Sequence, residues 1–515
     1  MKQRELAFAG LGLLLLLAGA VLSRRGEVSA AQTVVEAGGC RLPLTILQPS
    51  SGDFAGSAVV FHGISANRGL MDIYGEQLAS AGIRVFLPDL PGHGDNTQPF
   101  SFERAEKCAT LLVLHLQSTG EISPSSTILA GHSMGGAIAI RIADHFPAAG
   151  TLAISPAPMI PTLGVPAGLL FFSLPARIPG NLLVLRGRLE PEFAAEGDQA
   201  LIKIANQGRL RSGLRSDSLI GRPAQVVLIP GATHTGILFD PSTWDQSVAW
   251  ARDTLHLPPG RRLKVHAPAL GGLVGLAGIF LLFPVVAALL TKWRVPVAKE
   301  ADTFPPIGKV LAHSVAAFAL GVLVLRFWVP LRPVRILMGD YLASFLLLGG
   351  LYLLLVFRGP PKKALALNGT SLLIGGILSF ALLLGAGAWL NWRLDDAWMN
   401  AARWARFVPL AFACLPYFAA EEVAIGPPRR ERMWARYLLF AALRALAGAV
   451  LVLAFLLLHS GQLLIILLAV FLALISVFQR LGMDSVRRCT GSAAAAAAFG
   501  AILAAWFLAA VLPLT

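Results

Sequence analysis

A serine stands between two glycines in the segment Gly131-His132-Ser133-Met134-Gly135. A short apolar run precedes this segment and an apolar run with helical spacing follows it, so the segment is typical of a turn from a strand into a helix. The glycines leave room for a very tight turn. The turn raises the hydroxyl at the N terminus of the helix, where backbone N–H groups favour developing negative charge. The spacing therefore predicts a serine nucleophile.

The elements that must hold this serine follow from the patterning around it. Short apolar, β-branched runs alternate with helical patterns, which predicts a mainly parallel sheet covered by helices on both faces. Active sites in such sheets lie at the carboxyl ends of the strands. The predicted strands are 57–63, 83–89, 126–133, 151–157, 181–187 and 224–231, and the predicted helices are 70–82, 101–117, 135–147 and 241–255.

With these elements in place, residues 32–256 resemble the α/β-hydrolase superfamily. The resemblance implies the doubly wound, mainly parallel α/β-hydrolase sheet. The matching segments look like the family's histidine-glycine loop, its following strand and turn, and the strands that deliver the acid and the histidine. They are VVFHGISANRG (59–69), RVFLPDLPGHGDN (84–96), LLVLRGRLEP (182–191) and VVLIPGATHTGI (226–237).

The resemblance implies a catalytic triad of Ser133, His234 and Glu190, in the superfamily's chain order of serine, acid and histidine. The family more often has aspartate as the acid, so glutamate is a departure. Other acids stay open as alternatives, namely Glu192, Asp198 and Asp217. Of the rival histidines His62, His93, His132 and His145, none follows the last strand as His234 does.

The resemblance also implies an oxyanion hole built from the backbone N–H groups of Ile64 and Met134. A serine nucleophile argues against epoxide hydrolases and haloalkane dehalogenases, which use aspartate, and leaves acyl transfer on small-molecule or lipid esters. No metal or organic cofactor is implied. The apolar interval Met159–Gly180 is either a small lid beside the site or a packed connecting loop.

Beyond residue 262 the composition changes. The chain has 515 residues, of which 55% are hydrophobic and 14% are charged. Apolar blocks of about 20 residues, long enough to span a bilayer as helices, fill its second half. They are 268–290, 308–329, 336–357, 366–390, 406–420, 436–458, 462–479 and 492–513. A further block, Leu6–Leu22, follows Lys2 and Arg4 and is interpreted as an uncleaved signal anchor rather than a cleaved signal peptide.

We therefore predict a transmembrane anchor at 1–25, an α/β-hydrolase domain at 26–262 and a domain of about eight transmembrane helices at 263–515. Alternate loops between the blocks carry fourteen and five Lys and Arg residues. Basic loops face the cytoplasm. The first loop of the basic set, Lys292–Lys309, follows the first block, so the hydrolase domain is predicted outside the cytoplasm, on the cell or inner membrane.

The net charge of +14 does not indicate nucleic-acid binding, because most of the surplus lies in these loops. Cys40 and Cys108 could form one disulfide, but a domain of this size has enough core without it, so we expect free thiols. The oligomeric state is not predicted.

Polar residues inside the apolar blocks are candidates for function. They are His313, Asp340, Asn368 and Arg444. Glu421-Glu422 resembles the glutamate pair of the CAAX-protease-like intramembrane family, although Gly426 stands where that family has arginine. We favour a cytoplasmic helix end beside four arginines. The rivals to a serine hydrolase are thus a ligand-binding α/β domain of a transporter or signalling protein, and an intramembrane protease that uses Glu421.

Overall fold

The structure is a computed structural model that describes residues 3–143, 145–157, 159, 179, 181–211, 224–257, 268–291, 305–357, 368–394, 398–428, 433–458 and 469–515. Its contacts divide the chain into two compact units. One unit is built mainly from residues 21–272 and contains the sheet. The other is built from the first helix, α1 (Gln3–Leu22), and from the apolar helices beyond residue 272.

The first unit is built on an eight-stranded sheet with the order β1-β2-β4-β3-β5-β6-β7-β8. The strand β2 runs antiparallel to β1 and to β4, and all other neighbours are parallel. The strands are β1 (Val28–Ala37), β2 (Cys40–Pro49), β3 (Gly56–Phe61), β4 (Ile83–Pro88), β5 (Thr127–His132), β6 (Gly150–Ile154), β7 (Leu182–Gly187) and β8 (Gln225–Ile229).

Helices alternate with these strands. They are α2 (Arg68–Ala79), α3 (Phe102–Ser118), α4 (Met134–Ile142), α5 (Glu192–Arg211) and α6 (Pro241–Thr254). Every residue of the central strands β3, β5, β6 and β7 is buried. Strands covered on both faces need apolar side chains on both faces, which explains their continuous apolar runs. The predicted α/β-hydrolase sheet is confirmed, with end positions that differ by a few residues.

The hairpin β1–β2 and the helix α5 were not among the predicted elements. Ala37 pairs with Cys40, so Gly38 and Gly39 alone form the turn. Both have positive φ, +55° and +81°, which is the backbone of a two-residue hairpin turn that glycine adopts without strain. The strand β1 is mostly exposed, so it lacks the buried apolar run that identified the central strands.

The expectation of free thiols at Cys40 and Cys108 is wrong. The two cysteines form a disulfide, with their Cα atoms 5.5 Å apart, and it joins the start of β2 to α3 across 68 residues. Size alone predicted no need for a cross-link, but the fold brings the two side chains into bonding distance. Structural disulfides persist in oxidising compartments.

The second unit is all helical. Besides α1, it contains α7 (Pro268–Thr291), α8 (Ile307–Leu325), α9 (Gly339–Val356), α10 (Gly369–Leu394), α11 (Ala401–Ile425), α12 (Met433–Leu458), α13 (Ala469–Thr490) and α14 (Ala493–Val511). Within the described residues, seven of these helices are long and apolar enough to cross a membrane, namely α7 to α12 and α14.

Two predicted blocks need correction. The block at 406–420 is part of the 25-residue helix α11, because the helix continues through charged residues at both ends. The block at 462–479 begins outside the described residues, and its described part belongs to α13. That helix continues through Arg480 and Asp484, which are buried and paired with other charged side chains, so hydropathy alone misplaced its end.

Candidate active site

Ser133 occupies the turn between β5 and α4 with a strained backbone, φ 52° and ψ −116°. A side chain on Gly131 would collide with the backbone of Gly135, and one on Gly135 would collide with the backbone of Phe61. The two glycines are therefore required by the close approach of strand, turn and helix. The strain holds the Ser133 hydroxyl at the carboxyl end of the sheet, as such turns do at functional sites.

His234 follows β8 and reaches across to the serine. Its Nε2 lies 3.0 Å from Oγ of Ser133, and its side chain is 19% exposed. Its Nδ1 lies 2.8 Å from Oε2 of Glu190. Because the carboxylate only accepts, Nδ1 carries the proton in the neutral ring, and Nε2 is free to accept the Ser133 proton.

Glu190 follows β7 and is buried, with a side chain 3% exposed. The structure thus brings the three predicted residues into one hydrogen-bonded line, although they are separated by 44 and 101 positions from one another along the chain. The arrangement has the geometry of a nucleophile, a base and an acid that orients the base. We keep the assignment of catalytic roles as a prediction.

Further donors surround the Glu190 carboxylate. Oε1 accepts from Oγ of Ser155 at 2.5 Å and from the backbone N of Gly187 at 2.9 Å, and Oε2 also accepts from Nη1 of Arg186 at 2.8 Å. Burial by itself would raise the pKa of Glu190. The hydrogen bond with His234 and the charge of Arg186 outweigh burial and hold that pKa well below its usual range. Glu190 is therefore ionised at neutral pH.

Sequence reasoning missed Ser155 and Arg186. Ser155 has a positive φ of 42°, which turns its hydroxyl toward the acid. Arg186 is 2% exposed inside β7. A charged residue within the apolar run LLVLRG was the available signal, because a buried arginine needs carboxylate partners.

The histidines His62 and His132 have structural contacts. Nδ1 of His62 lies 2.7 Å from the carbonyl oxygen of Gly63, and its Nε2 accepts from Leu90 N at 3.0 Å. Nε2 of His132 lies 2.7 Å from the carbonyl oxygen of His234. Burial lowers the pKa of His62 to about 4 and that of His132 to about 3. Both rings are therefore neutral at physiological pH.

The predicted oxyanion donors flank the nucleophile. Met134 is the first residue of α4, where a backbone N–H has no partner within the helix. A Cβ added to Gly63 would lie 3.1 Å from Cβ of Ser133, so the loop that precedes Ile64 runs directly against the serine turn. The positions suit an oxyanion hole, and the assignment of Ile64 and Met134 stays a prediction.

The alternative acids occupy other positions. Asp198 accepts two hydrogen bonds from Arg186, at 2.6 and 2.9 Å, and Glu192 is exposed at the start of α5. Asp217 lies outside the described residues, as does nearly all of the interval Met159–Gly180 predicted as a lid or a connecting loop. Of the acids that the structure describes, Glu190 is the one that contacts His234.

The polar candidates of the helical unit have local partners. Nδ1 of His313 lies 3.4 Å from the hydroxyl of Tyr352. Asp340 and Asn368 accept from backbone N–H groups at the starts of α9 and α10, at 2.7 Å and 3.0 Å. Such contacts are those of helix ends and interhelical packing.

Glu421 and Glu422 are buried near the C-terminal end of α11, which ends at Ile425, so the pair lies close to a helix end as predicted. Arg444 on α12 lies 3.1 Å from Glu421. Glu422 pairs with Arg480 and, at 2.6 Å, with Arg487, both on α13. Of the four arginines predicted beside the pair, Arg429, Arg430 and Arg432 lie outside the described residues, and Arg436 pairs with Asp484 at 2.6 Å. Paired carboxylates are poor general bases, so this geometry does not favour an intramembrane protease.

Known proteins are similar to the sheet-containing half of the chain. The family model of the alpha/beta hydrolase family matches residues 58–226. A monoglyceride lipase homolog from Monkeypox virus is 30% identical over 172 residues, which are 32% of this chain and 62% of that relative. The chain therefore spans less than two thirds of the length of this relative.

Solved structures of hydrolases are also similar to this chain. A predicted CIB-like hydrolase from Thermoplasma acidophilum has 18% identity and a TM-score of 0.33, covering 44% of this chain and 99% of its own. A hyperthermophilic esterase from Pyrobaculum calidifontis has 16% identity and a TM-score of 0.35, covering 50% of this chain and 93% of its own.

Proposed function

Since residues 58–226 form an α/β-hydrolase segment, we propose that the chain is a membrane-bound serine hydrolase that cleaves carboxylic esters. One observation carries the proposal. Oγ of Ser133, the ring of His234 and the carboxylate of Glu190 form a continuous hydrogen-bonded line on the strained turn after β5. A serine hydroxyl is too weakly acidic to attack an ester unaided, and this line supplies the base that it needs.

The reaction has two acyl-transfer steps. As Oγ of Ser133 attacks the ester carbonyl, Nε2 of His234 takes the hydroxyl proton and then gives it to the departing alcohol, which leaves an acyl-enzyme. Water attacks the acyl-enzyme while the same nitrogen takes one of its protons. That nitrogen returns the proton to Oγ of Ser133 as the acyl–Oγ bond breaks and the carboxylic acid departs. Glu190 stays ionised throughout, because its role is to stabilise the imidazolium and hold its orientation.

The backbone N–H groups of Ile64 and Met134 are proposed to stabilise the oxyanion of each tetrahedral intermediate. Loss of one such donor typically costs roughly 3 to 4 kcal/mol of transition-state stabilisation. These donors are main-chain groups, so their contribution depends on the loop path at Gly63 and on the start of α4 more than on the side chains at 64 and 134.

The substrate class proposed is a small-molecule or lipid ester. The similarity to a monoglyceride lipase homolog supports an ester. The apolar helices of the second unit would hold the enzyme at a bilayer, where amphiphilic esters concentrate.

We further propose that the first, sheet-containing unit, which we call the hydrolase unit, lies outside the cytoplasm. The distribution of basic residues among the loops supports this side, because fourteen lie in one set of alternate loops and five in the other. The disulfide Cys40–Cys108 supports it independently, because cytosolic thiols are kept reduced.

Fusions to a phosphatase that is active only outside the cytoplasm test this location. We expect high phosphatase activity for a fusion after residue 262 and background activity for a fusion near Lys299. The two fusion sites lie on either side of the helix α7, so each fusion is the control for the other. The reverse pattern would put the hydrolase unit in the cytoplasm and leave the proposed chemistry untouched.

A fluorophosphonate probe tests the proposed chemistry without knowledge of the substrate. We expect a covalent adduct on the peptide that contains Ser133, detected by mass spectrometry, and a parallel loss of p-nitrophenyl ester hydrolysis. Denatured protein, in which the hydrogen-bonded line is lost, is the control and should stay unlabelled. An α/β unit that only binds a ligand would give no adduct, and that result would overturn the proposed function.

A further inference from the structure

Arg186 is a buried cation between two buried carboxylates. Its Nη1 donates to Oε2 of Glu190 at 2.8 Å, and its Nε and Nη2 donate to the two oxygens of Asp198 at 2.6 and 2.9 Å. Nη2 also donates to the carbonyl oxygen of Pro156 at 2.9 Å. The side chains of Arg186 and Asp198 are 3% and 6% exposed. Water therefore does not screen this group of charges in the way it screens a surface ion pair.

The Glu190 carboxylate has no freedom to rotate in this arrangement. Oε1 accepts from Ser155 and from the backbone of Gly187, and Oε2 accepts from Arg186 and from His234. An ionised carboxylate offers about four acceptor positions, and all of them are filled. A glutamate has one more rotatable bond than the aspartate usual in this family, so it needs such restraint more.

We propose that Arg186 and Asp198 are positioning residues for the hydrolase reaction, with Arg186 holding the Glu190 carboxylate toward His234 and Asp198 cancelling the charge that Arg186 brings. This inference rests on the proposed function of Ser133, His234 and Glu190 and extends it to a pair of residues that never touches the substrate.

The charges near His234 explain why Arg186 needs Asp198 beside it. Arg186 shares Oε2 of Glu190 with Nδ1 of His234, so its positive charge opposes formation of the imidazolium. With Asp198 the three side chains sum to one negative charge, the same as a lone acid. Burial raises the pKa of Asp198 and the charge of Arg186 counteracts this. Since the guanidinium keeps its proton and donates to both oxygens, the pair holds Asp198 as carboxylate.

A second titratable group, His132, also faces His234. The ring of His132 lies 5.0 Å from it, and burial lowers the pKa of His132 to about 3, so that ring carries no charge in the working range. The hydroxyl of Ser133 is neutral. The ionised group that contacts His234 is Glu190, which is paired with Arg186, and Arg186 is paired in turn with Asp198.

The first experiment measures kcat/KM for a p-nitrophenyl ester against pH in D198N. Removing the Asp198 charge leaves Arg186 uncompensated, so the imidazolium is less stable. We expect the acidic limb of the profile to move to lower pH by roughly one unit, and turnover to fall about tenfold as base strength is lost. Glu196→Gln is the matched control, because Glu196 is an exposed acid two residues away on the same helix, and it should leave both unchanged.

The second experiment tests the hold on Glu190. R186Q removes a donor from Oε2, and we expect turnover to fall roughly 100-fold, as for a misplaced catalytic group. Arg186→Lys keeps the charge but not the forked geometry, and should restore activity in part. Arg188→Gln, at an exposed arginine two residues away, is the control.

The double variant R186Q/D198N returns the sum of charges to one negative charge. We expect its acidic limb to return to the wild-type pH while its turnover stays low. It also guards against misfolding, because it removes both buried charges together and so leaves neither unpaired. If the single variants do not fold, the double variant decides: wild-type turnover in it would overturn the proposal.

Other outcomes are equally informative. A wild-type pH profile in folded D198N, or wild-type turnover in folded R186Q, would refute the positioning role. Fluorophosphonate labelling of Ser133 in the wild type separates this failure from failure of the proposed function. If the wild type is labelled and the variants behave as wild type, only the positioning proposal is wrong. If the wild type is not labelled, the hydrolase assignment itself is wrong and the positioning proposal falls with it.

Discussion

Ser133→Ala is expected to abolish ester hydrolysis and fluorophosphonate labelling in a chain that still folds. The hydroxyl is 3.0 Å from Nε2 of His234 and, within the part of the chain that the structure describes, makes no side-chain cap to α4. The turn is held instead by Ser133 N donating to Ile154 O and by Ala157 N donating to Ser133 O, both at 2.9 Å. Loss of the nucleophile in a serine enzyme lowers kcat by about 10⁶-fold.

Initial rates with a short p-nitrophenyl ester and gel fluorescence after probe treatment measure both effects. Ser125→Ala is a suitable control, since Ser125 is exposed on the surface of the same unit, and it should retain wild-type rates and labelling. Midpoints of thermal unfolding that are the same in both variants as in the wild type would show that the fold is intact. A folded Ser133→Ala protein with substantial hydrolysis would mean that another group is the nucleophile.

Glu190→Gln is expected to lower turnover by about 10⁴-fold, the size of the effect when a triad acid becomes an amide. Glutamine has nearly the same shape, but its amide cannot carry the negative charge that stabilises the imidazolium. It also offers N–H donors where His234 and Arg186 both donate to Oε2 in the wild type. The ring of His234 would therefore lose both its charge partner and its tautomer.

Glu192→Gln, two residues along the chain at an exposed position, is the matched control and should be active. Circular dichroism of both proteins would show whether the sheet persists. The sizes of the effects identify the acid. If Glu190→Gln is nearly wild type while Asp198→Asn or Asp217→Asn is inactive, the acid has been assigned to the wrong residue.

The nucleophile turn and the alternation of strands and helices could be predicted from the sequence because their causes are local. Steric contact between Gly131 and Gly135 acts across four residues, and the apolar runs of β3, β5 and β7 record burial on both faces of each strand. The family resemblance, with its chain order of serine, acid and histidine, then predicted Ser133, Glu190 and His234 as the triad.

The pairings of distant residues were decided by the tertiary structure alone. Cys40 bonds to Cys108 across 68 residues, and Glu422 pairs with Arg487 across 65 residues. Arg186 on the strand β7 pairs with Asp198 on the helix α5. Composition predicted neither the disulfide nor the buried charges. Hydropathy treats each charged residue as exposed, whereas a buried charge is tolerated when a partner lies within bonding distance. Only the packing of strands and helices brings such partners together.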